Sequence, residues 1–192
     1  MIGALPSPTV RVAGAEVPIA TGARANIAAD LADRGTAGGR LSMLLAWFGG
    51  EDVLPDAVAR HAPEALEAAI AWSSAAMGCM RYGRPTLGAK RSPGGSGAVI
   101  DWEEDAAIIC ADFLRFYRID LWEEDPHWYR FCALLLALVR TEGSLVGQAA
   151  RARSPLPRGA GAGERERARK LADAWTLPPT DAELREMARA RF

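Results

Sequence analysis

The run from Asp101 to Asp125 is the stretch of this chain best supplied with chemical groups. It holds Asp101, Glu103, Glu104, Asp105, Asp112, Asp120, Glu123, Glu124 and Asp125 against Arg115 and Arg118. Carboxylates can bind Mg²⁺ in a metal-dependent all-α hydrolase. They do so where pairs spaced E-x-x-E or E-x-x-D on facing helices bring several oxygens to one ion. Here Glu103, Glu104 and Asp105 fan around a first helical turn, and Glu123–Asp125 precede the next helix. Capping and the helix dipole demand those placements, so they read as solvated caps. His127 stands beside Glu124 and Asp125 as a candidate general base, with Cys132 five residues on. Five residues turn a helix past the same face, which arranges a Cys–His dyad poorly. No C-x-x-C or H-x-x-x-H pair supplies zinc ligands. Gly88-Ala-Lys90-Arg-Ser92 lacks the spacing of a phosphate loop, and no strand leads into it. The residues assign no catalytic, cofactor or metal site, and the chain reads as a non-enzyme.

Two helices must position this run. Asp101 is a good N-cap, with Glu104 in register to complete a capping box. Trp102, Ala106, Ile109, Phe113, Phe116 and Tyr117 then recur at spacings of three and four, one continuous apolar face ending near Arg118. Asp125-Pro126 is the second start signal, cap followed by proline at the first helical position. Trp128, Phe131, Leu134, Leu135, Leu138 and Val139 follow in a helix apolar nearly all round, buried and too short to span a bilayer. Between the helices lies a polar elbow, Ile119–Asp125. Core packing is the default for the aromatic cluster of Trp102, Phe113, Tyr117, Trp122, Trp128 and Phe131, but it is large for one small core. Trp122 and Trp128 beside the elbow are the best candidates for a partner surface.

The rest of the chain reads as small supporting elements. Thr9–Ile19 is a hairpin around Ala13-Gly14, its second strand closed by Pro18. A short helix over Arg24–Arg34 turns Ile27 and Leu31 inward and closes at Gly35; Gly38-Gly39 separates it from an apolar turn at Leu41–Phe48. Leu54–Arg60 is helical. Pro63 opens a longer helix with Leu66, Ile70, Ser73, Met77 and Met80 on one face, stopping at Gly83. Residues 83–97 form a Gly/Pro/Ser linker. Ser144 caps a helix over Leu145–Arg153. Residues 1–153 thus make a helical domain with an N-terminal hairpin, and 154–192 a charged extension with helices at Glu164–Trp175 and after Thr180.

The 192 residues carry a net charge of −1 and are 49% hydrophobic, rich in Ala and poor in Tyr and Phe. That composition predicts a mainly α fold. The ten Arg/Lys from Arg151 to Phe192 alternate with six Asp/Glu, which suits a salt-bridged surface better than nucleic acid. Three cysteines on helix faces (Cys79, Cys110, Cys132) read as buried hydrophobes in a reducing compartment. The N-terminus shows no basic segment followed by a long apolar run, so no signal peptide is expected, and a soluble cytoplasmic protein is.

Tyr117-Arg-Ile-Asp120-Leu121 followed by His127-Trp128-Tyr-Arg-Phe131-Cys-Ala-Leu-Leu matches a recurrent pattern: an aromatic helix ending in Tyr-Gly-x-Asp-Leu, then a His-Trp-x-x-Phe helix. With the hairpin ahead of it, the chain resembles the tail-assembly chaperones of long-tailed bacteriophages, short helical proteins encoded just before the tape-measure protein. Arg118 stands where that family has glycine, and Thr21-Gly-Ala-Arg24 where an aromatic follows the hairpin. The resemblance implies a protein of the bacterial host's cytoplasm that binds and solubilises the tape-measure protein during tail morphogenesis. Partners among other tail proteins and a homo-oligomer stay open; no membrane and no cofactor are implied. The partner-binding residues it implies are Tyr117, Asp120, Leu121, Trp122, His127, Trp128 and Phe131. A permanent tail or neck component and a metal-dependent hydrolase are the alternatives.

Overall fold

Residues 5–49, 53–78, 100–154 and 161–175, with Leu184, Ala188 and Arg189, are described by the computed structural model. The fold is mainly α-helical with one small N-terminal hairpin. Chain contacts divide it into two units: Met1–Arg84 with Arg118–Leu136, and Pro85–Tyr117 with Ala137–Phe192. The expected linker at 83–97, most of the second linker and the helix after Thr180 lie outside the described residues, apart from the three single residues named.

The first unit opens with antiparallel strands β1 (Thr9–Val12) and β2 (Ala15–Pro18), pairing Thr9 with Pro18 and Val12 with Ala15. Ala13 (φ 49°) and Gly14 (φ 81°) make a two-residue loop with both φ values positive, the arrangement that matches the strands' twist. Alternation turns Val10, Val12 and Val17 inward. Two strands alone are marginal, and Glu64 accepts the Ala13 N–H at 2.8 Å to hold the loop. The helices are α1 (Ala23–Leu31), α2 (Ala37–Phe48), α3 (Asp56–Arg60) and α4 (Ala62–Gly78). Val10, Val12, Val17 and Ile19 pack with Met43, Leu44, Trp47, Phe48, Val58, Ala65 and Ala69 in one core.

Three expectations for these helices are corrected. Gly38-Gly39 does not separate two elements; it lies in the first turn of α2, capped by Thr36, whose hydroxyl accepts the Gly39 N–H at 3.0 Å. A Cβ at Gly39 would fall 1.9 Å from the Asp33 carbonyl oxygen, so this glycine serves a close backbone approach. In α1 the buried residues are Ala23, Asn26 and Ala29, with Ile27 and Leu31 only half-buried, and the helix ends before Gly35. In α4 the buried face is Ala65, Ala69 and Ala76, one residue round from the face read through Leu66, Ile70 and Ser73. Small side chains let α4 approach its neighbours closely, and the larger ones flank the contact. Asn26 is buried yet satisfied: its amide N–H groups donate to Gly22 O (2.8 Å) and Ala20 O (3.3 Å), and its oxygen accepts the Trp47 indole N–H (3.0 Å).

Helix α6 (Trp128–Arg140) gives its first part to this unit. It is not apolar all round: Arg130, Ala133, Ala137 and Arg140 form an exposed stripe opposite buried Phe131, Cys132, Leu135 and Leu138. Alanine on the outer stripe gave the sequence its uniformly apolar look.

The second unit holds α5 (Ala106–Asp112), a π-helical turn (Phe113–Tyr117), α7 (Leu145–Arg153) and α8 (Ala162–Ala174). Asp101 accepts from the N–H groups of Glu103 (2.9 Å) and Glu104 (3.0 Å), as a cap should, but only a turn follows it and α5 begins at Ala106. The reach back to the Asp101 N–H comes from Asp105 (2.8 Å), not Glu104. The π turn breaks the even apolar repeat: Phe113 is buried, Phe116 and Tyr117 are half-buried, and Leu114 is exposed.

Two carboxylates of the acidic run are buried here, and Asp105 is one of those read as solvated caps. Asp105 pairs with the Arg153 guanidinium, Nη2 to Oδ1 at 2.9 Å with a second bond from Nη1, and Arg153 Nε donates to Trp175 O at 3.0 Å. Asp112, 1% exposed, accepts from the Ser144 hydroxyl (2.7 Å) and the Val146 N–H (2.9 Å). Ser144 in turn accepts the Gly147 N–H and caps α7, as expected. Among the described residues no single helix is long and apolar enough to cross a membrane.

Candidate functional site

The elbow is a braced turn. Asp120 Oδ1 accepts the Trp122 N–H at 2.9 Å, and its carbonyl accepts from Glu123 (3.1 Å) and Glu124 (2.7 Å). Arg24, near the start of α1, lays one guanidinium nitrogen against the carbonyls of Leu121 (3.0 Å), Trp122 (2.8 Å) and Glu124 (3.5 Å). In exchange Asp125 accepts the Arg24 N–H at 2.9 Å. Asp125 therefore caps α1, not α6 as its place before Pro126 suggested; α6 starts at Trp128. Gly22, the cap residue of α1, has no side chain for the task, and its missing Cβ is the space the Asp125 carboxylate occupies. A short antiparallel bridge between Gly22 and His127 completes the brace: Ala23 N–H donates to Pro126 O (3.0 Å) and Trp128 N–H to Thr21 O (2.6 Å).

The residues singled out from the sequence separate into supports and surface. Trp128 (4% exposed) and Phe131 (1%) are core: their rings stack at 5.7 Å, and the Trp128 indole donates to Ser73 O of α4 at 2.9 Å. His127 is half-buried between Trp72 and Tyr129, ring centroids 6.0 and 5.9 Å away. Its Nδ1 accepts the Tyr129 N–H at 3.3 Å, and burial lowers its pKa below the usual histidine value. Tyr129 donates its hydroxyl to Trp72 O at 2.7 Å. Asp120 and Leu121 are half-buried at the turn. Trp122 projects from it, 73% exposed.

Tyr117 belongs to the second unit. It packs edge-on against Phe113 at 5.5 Å, and burial, then the charge of Asp112, raise its pKa. Cys132 is buried and its thiol is pushed far above its usual range by desolvation, which makes it inert. Arg118, between Tyr117 and the elbow, has φ 59°, the left-handed conformation glycine adopts without strain.

Among the described residues no three His, Cys, Asp or Glu side chains stand together as a metal site. The arrangement presents an exposed indole on braced backbone, next in sequence to Glu123 and Glu124; among the described residues it assembles no ion cage. Comparison with known protein families matches residues 73–177 to the family described as Bacteriophage Gp15 protein, more than half of the chain. The chain belongs to that family. Comparison with curated proteins and with solved structures returned no match.

This Gp15-family chain is thus a bacteriophage protein. The family match begins at Ser73, the acceptor of the Trp128 indole, and takes in the elbow, α6 and α7. Arg24, Asn26 and the hairpin lie ahead of it. Sequence reading missed Arg24 and the true partner of Asp125, because the two meet across about a hundred positions of chain. The one local signal was Gly22-Ala-Arg24 itself, a helix start with no side-chain cap of its own.

Proposed function

We propose that this protein is a tail-assembly chaperone that binds the tape-measure protein and keeps it soluble until the tail tube encloses it. The reading joins the family assignment to the Tyr117–Phe131 pattern, and the observation that carries it is the exposed Trp122 on a turn braced by Arg24. An indole held out on braced backbone is a suitable anchor for an apolar partner, because little loop ordering remains to be lost on binding. In this reading the protein is not an enzyme, needs no cofactor, and works in the cytoplasm of the bacterial host. Leu121 and Trp122 meet the partner, while Asp120, His127, Trp128 and Phe131 shape the turn beneath them.

Co-expression with the tape-measure protein encoded beside it tests this. Soluble tape-measure protein recovered only in the presence of this chain, with the chain absent from mature particles, is the expected result. Retention in purified tails would make it a permanent tail or neck component instead. No association in either sample would overturn the proposal.

A further inference from the structure

We infer that the elbow takes a basic amphipathic helix, an inference that rests on the chaperone reading and names the chemistry of the segment bound. Trp122 has the largest fractional exposure of the described large hydrophobic residues. Asp120, Glu123, Glu124 and Asp125 surround it in sequence, Glu123 and Glu124 exposed, and none of the four forms an ion pair among the described residues. Asp120, Glu124 and Asp125 each accept a backbone N–H, Glu124 that of Asp120 at 3.4 Å. Arg24, a cation tied to the turn, points its guanidinium at three carbonyls rather than at these acids. Arg118 is the other exposed cation at the elbow, so the rim is acidic on balance.

An apolar anchor inside an acidic rim selects a partner with an apolar stripe flanked by Lys or Arg. A helix supplies that pattern on one side, with anchors at i, i+3 or i+4 and basic residues beside them. Like charge across the rim would be rejected, so the same feature that recruits a basic helix excludes acidic ones. Because Glu123 and Glu124 are exposed, the attraction is screened by salt while the indole contact is not.

The test uses the full chain and two fluorescein-labelled synthetic helices that share a leucine stripe, one flanked by lysines and one by glutamates, read by anisotropy. The lysine peptide should bind at least tenfold tighter than the glutamate peptide. Raising salt from 0.1 to 1 M, which shortens the screening length from ~10 to ~3 Å, should erase most of that preference. Trp122→Ala and the pair Glu123→Lys/Glu124→Lys should each weaken the lysine peptide at least tenfold, with circular dichroism unchanged. Equal affinity for both peptides, no binding of either, or Trp122→Ala binding like wild type would overturn the inference. Running the same variants in co-expression separates the two claims. Tape-measure protein solubilised equally by wild type and by Glu123→Lys/Glu124→Lys refutes the charge selection and leaves the chaperone standing. Peptide discrimination without any solubilisation does the reverse.

Discussion

Whether the elbow is held from α1 can be measured with a cycle built from Gly22→Ala and Asp125→Ala. An alanine Cβ at position 22 would fall 2.0 Å from Asp125 Oδ2, so the carboxylate, a short side chain on an exposed residue, has to rotate away. Rotation removes the 2.9 Å bond from the Arg24 N–H, the side-chain cap of α1. Losing such a cap costs ~1 kcal/mol. Asp125→Ala removes the same bond directly and also costs ~1 kcal/mol. In the double variant the carboxylate is gone, so alanine at 22 has nothing to displace. Gly22 has φ −69°, which alanine adopts freely, and whatever alanine does on its own at a cap position is common to both backgrounds and cancels. Gly22→Ala should therefore cost ~1 kcal/mol more in the wild-type chain than in the Asp125→Ala chain, a coupling typical of residues in contact. Guanidinium denaturation followed by circular dichroism gives the four stabilities, with an unchanged slope as the check that only stability moved. An equal effect of Gly22→Ala in both backgrounds would refute the contact and with it the brace.

Four further outcomes follow from other parts of the structure. Asp112→Ala strands the Ser144 hydroxyl and the Val146 N–H in a buried site and should cost about 2–4 kcal/mol by denaturation, with Asp112→Asn milder because its oxygen can still accept. Asp112→Asn should also lower the Tyr117 pKa toward its ordinary value by removing a nearby charge, read by ultraviolet titration. At Arg118, φ 59° penalises every side chain and a β-branched one most, so Arg118→Val should be less stable than wild type by about 1–2 kcal/mol and less stable again than Arg118→Gly. Burial depresses the His127 pKa, so as pH falls from about 7 toward 5 the unfolded chain takes up more proton than the folded one and stability drops; above about 7 the contribution is complete. Denaturation midpoints across that range should flatten in His127→Gln.

The sequence shows its local rules clearly. Ala13-Gly14 marks a tight turn, Ser144 marks the start of α7, and the helix before the elbow ends where expected, at Arg118. What fails are several inferences that assign a residue to its nearest neighbour. Asp125 stands in the ideal place to cap α6 and caps α1. Gly38-Gly39 looks like a break and is a close approach to Asp33 within a helix start. Asp105 and Asp112 sit in an acidic run and are the two members of it whose charges are buried, because Arg153 and the start of α7 reach them from far along the chain. Trp122 and Trp128 cannot be ranked by composition or period, since both are tryptophans flanking one turn. A hydrogen bond to Ser73 O puts one in the core, and the carbonyl clamp by Arg24 leaves the other outside.

The capping of α1 by a residue so far downstream has a consequence for how the chain is made. The first unit is discontinuous, residues up to Arg84 being completed by Arg118–Leu136. At a synthesis rate of about 5–20 residues per second, α1 waits ~5–20 s after its own emergence for the carboxylate that satisfies its N-terminus. During that interval the hairpin and first four helices lack the Trp128–Phe131 floor and the Thr21–His127 bridge, so the nascent segment keeps apolar surface open to other chains. Long loop closure also makes such pairing slow once both halves exist. The protein thus passes through a stage of synthesis in which its own apolar surface is unshielded.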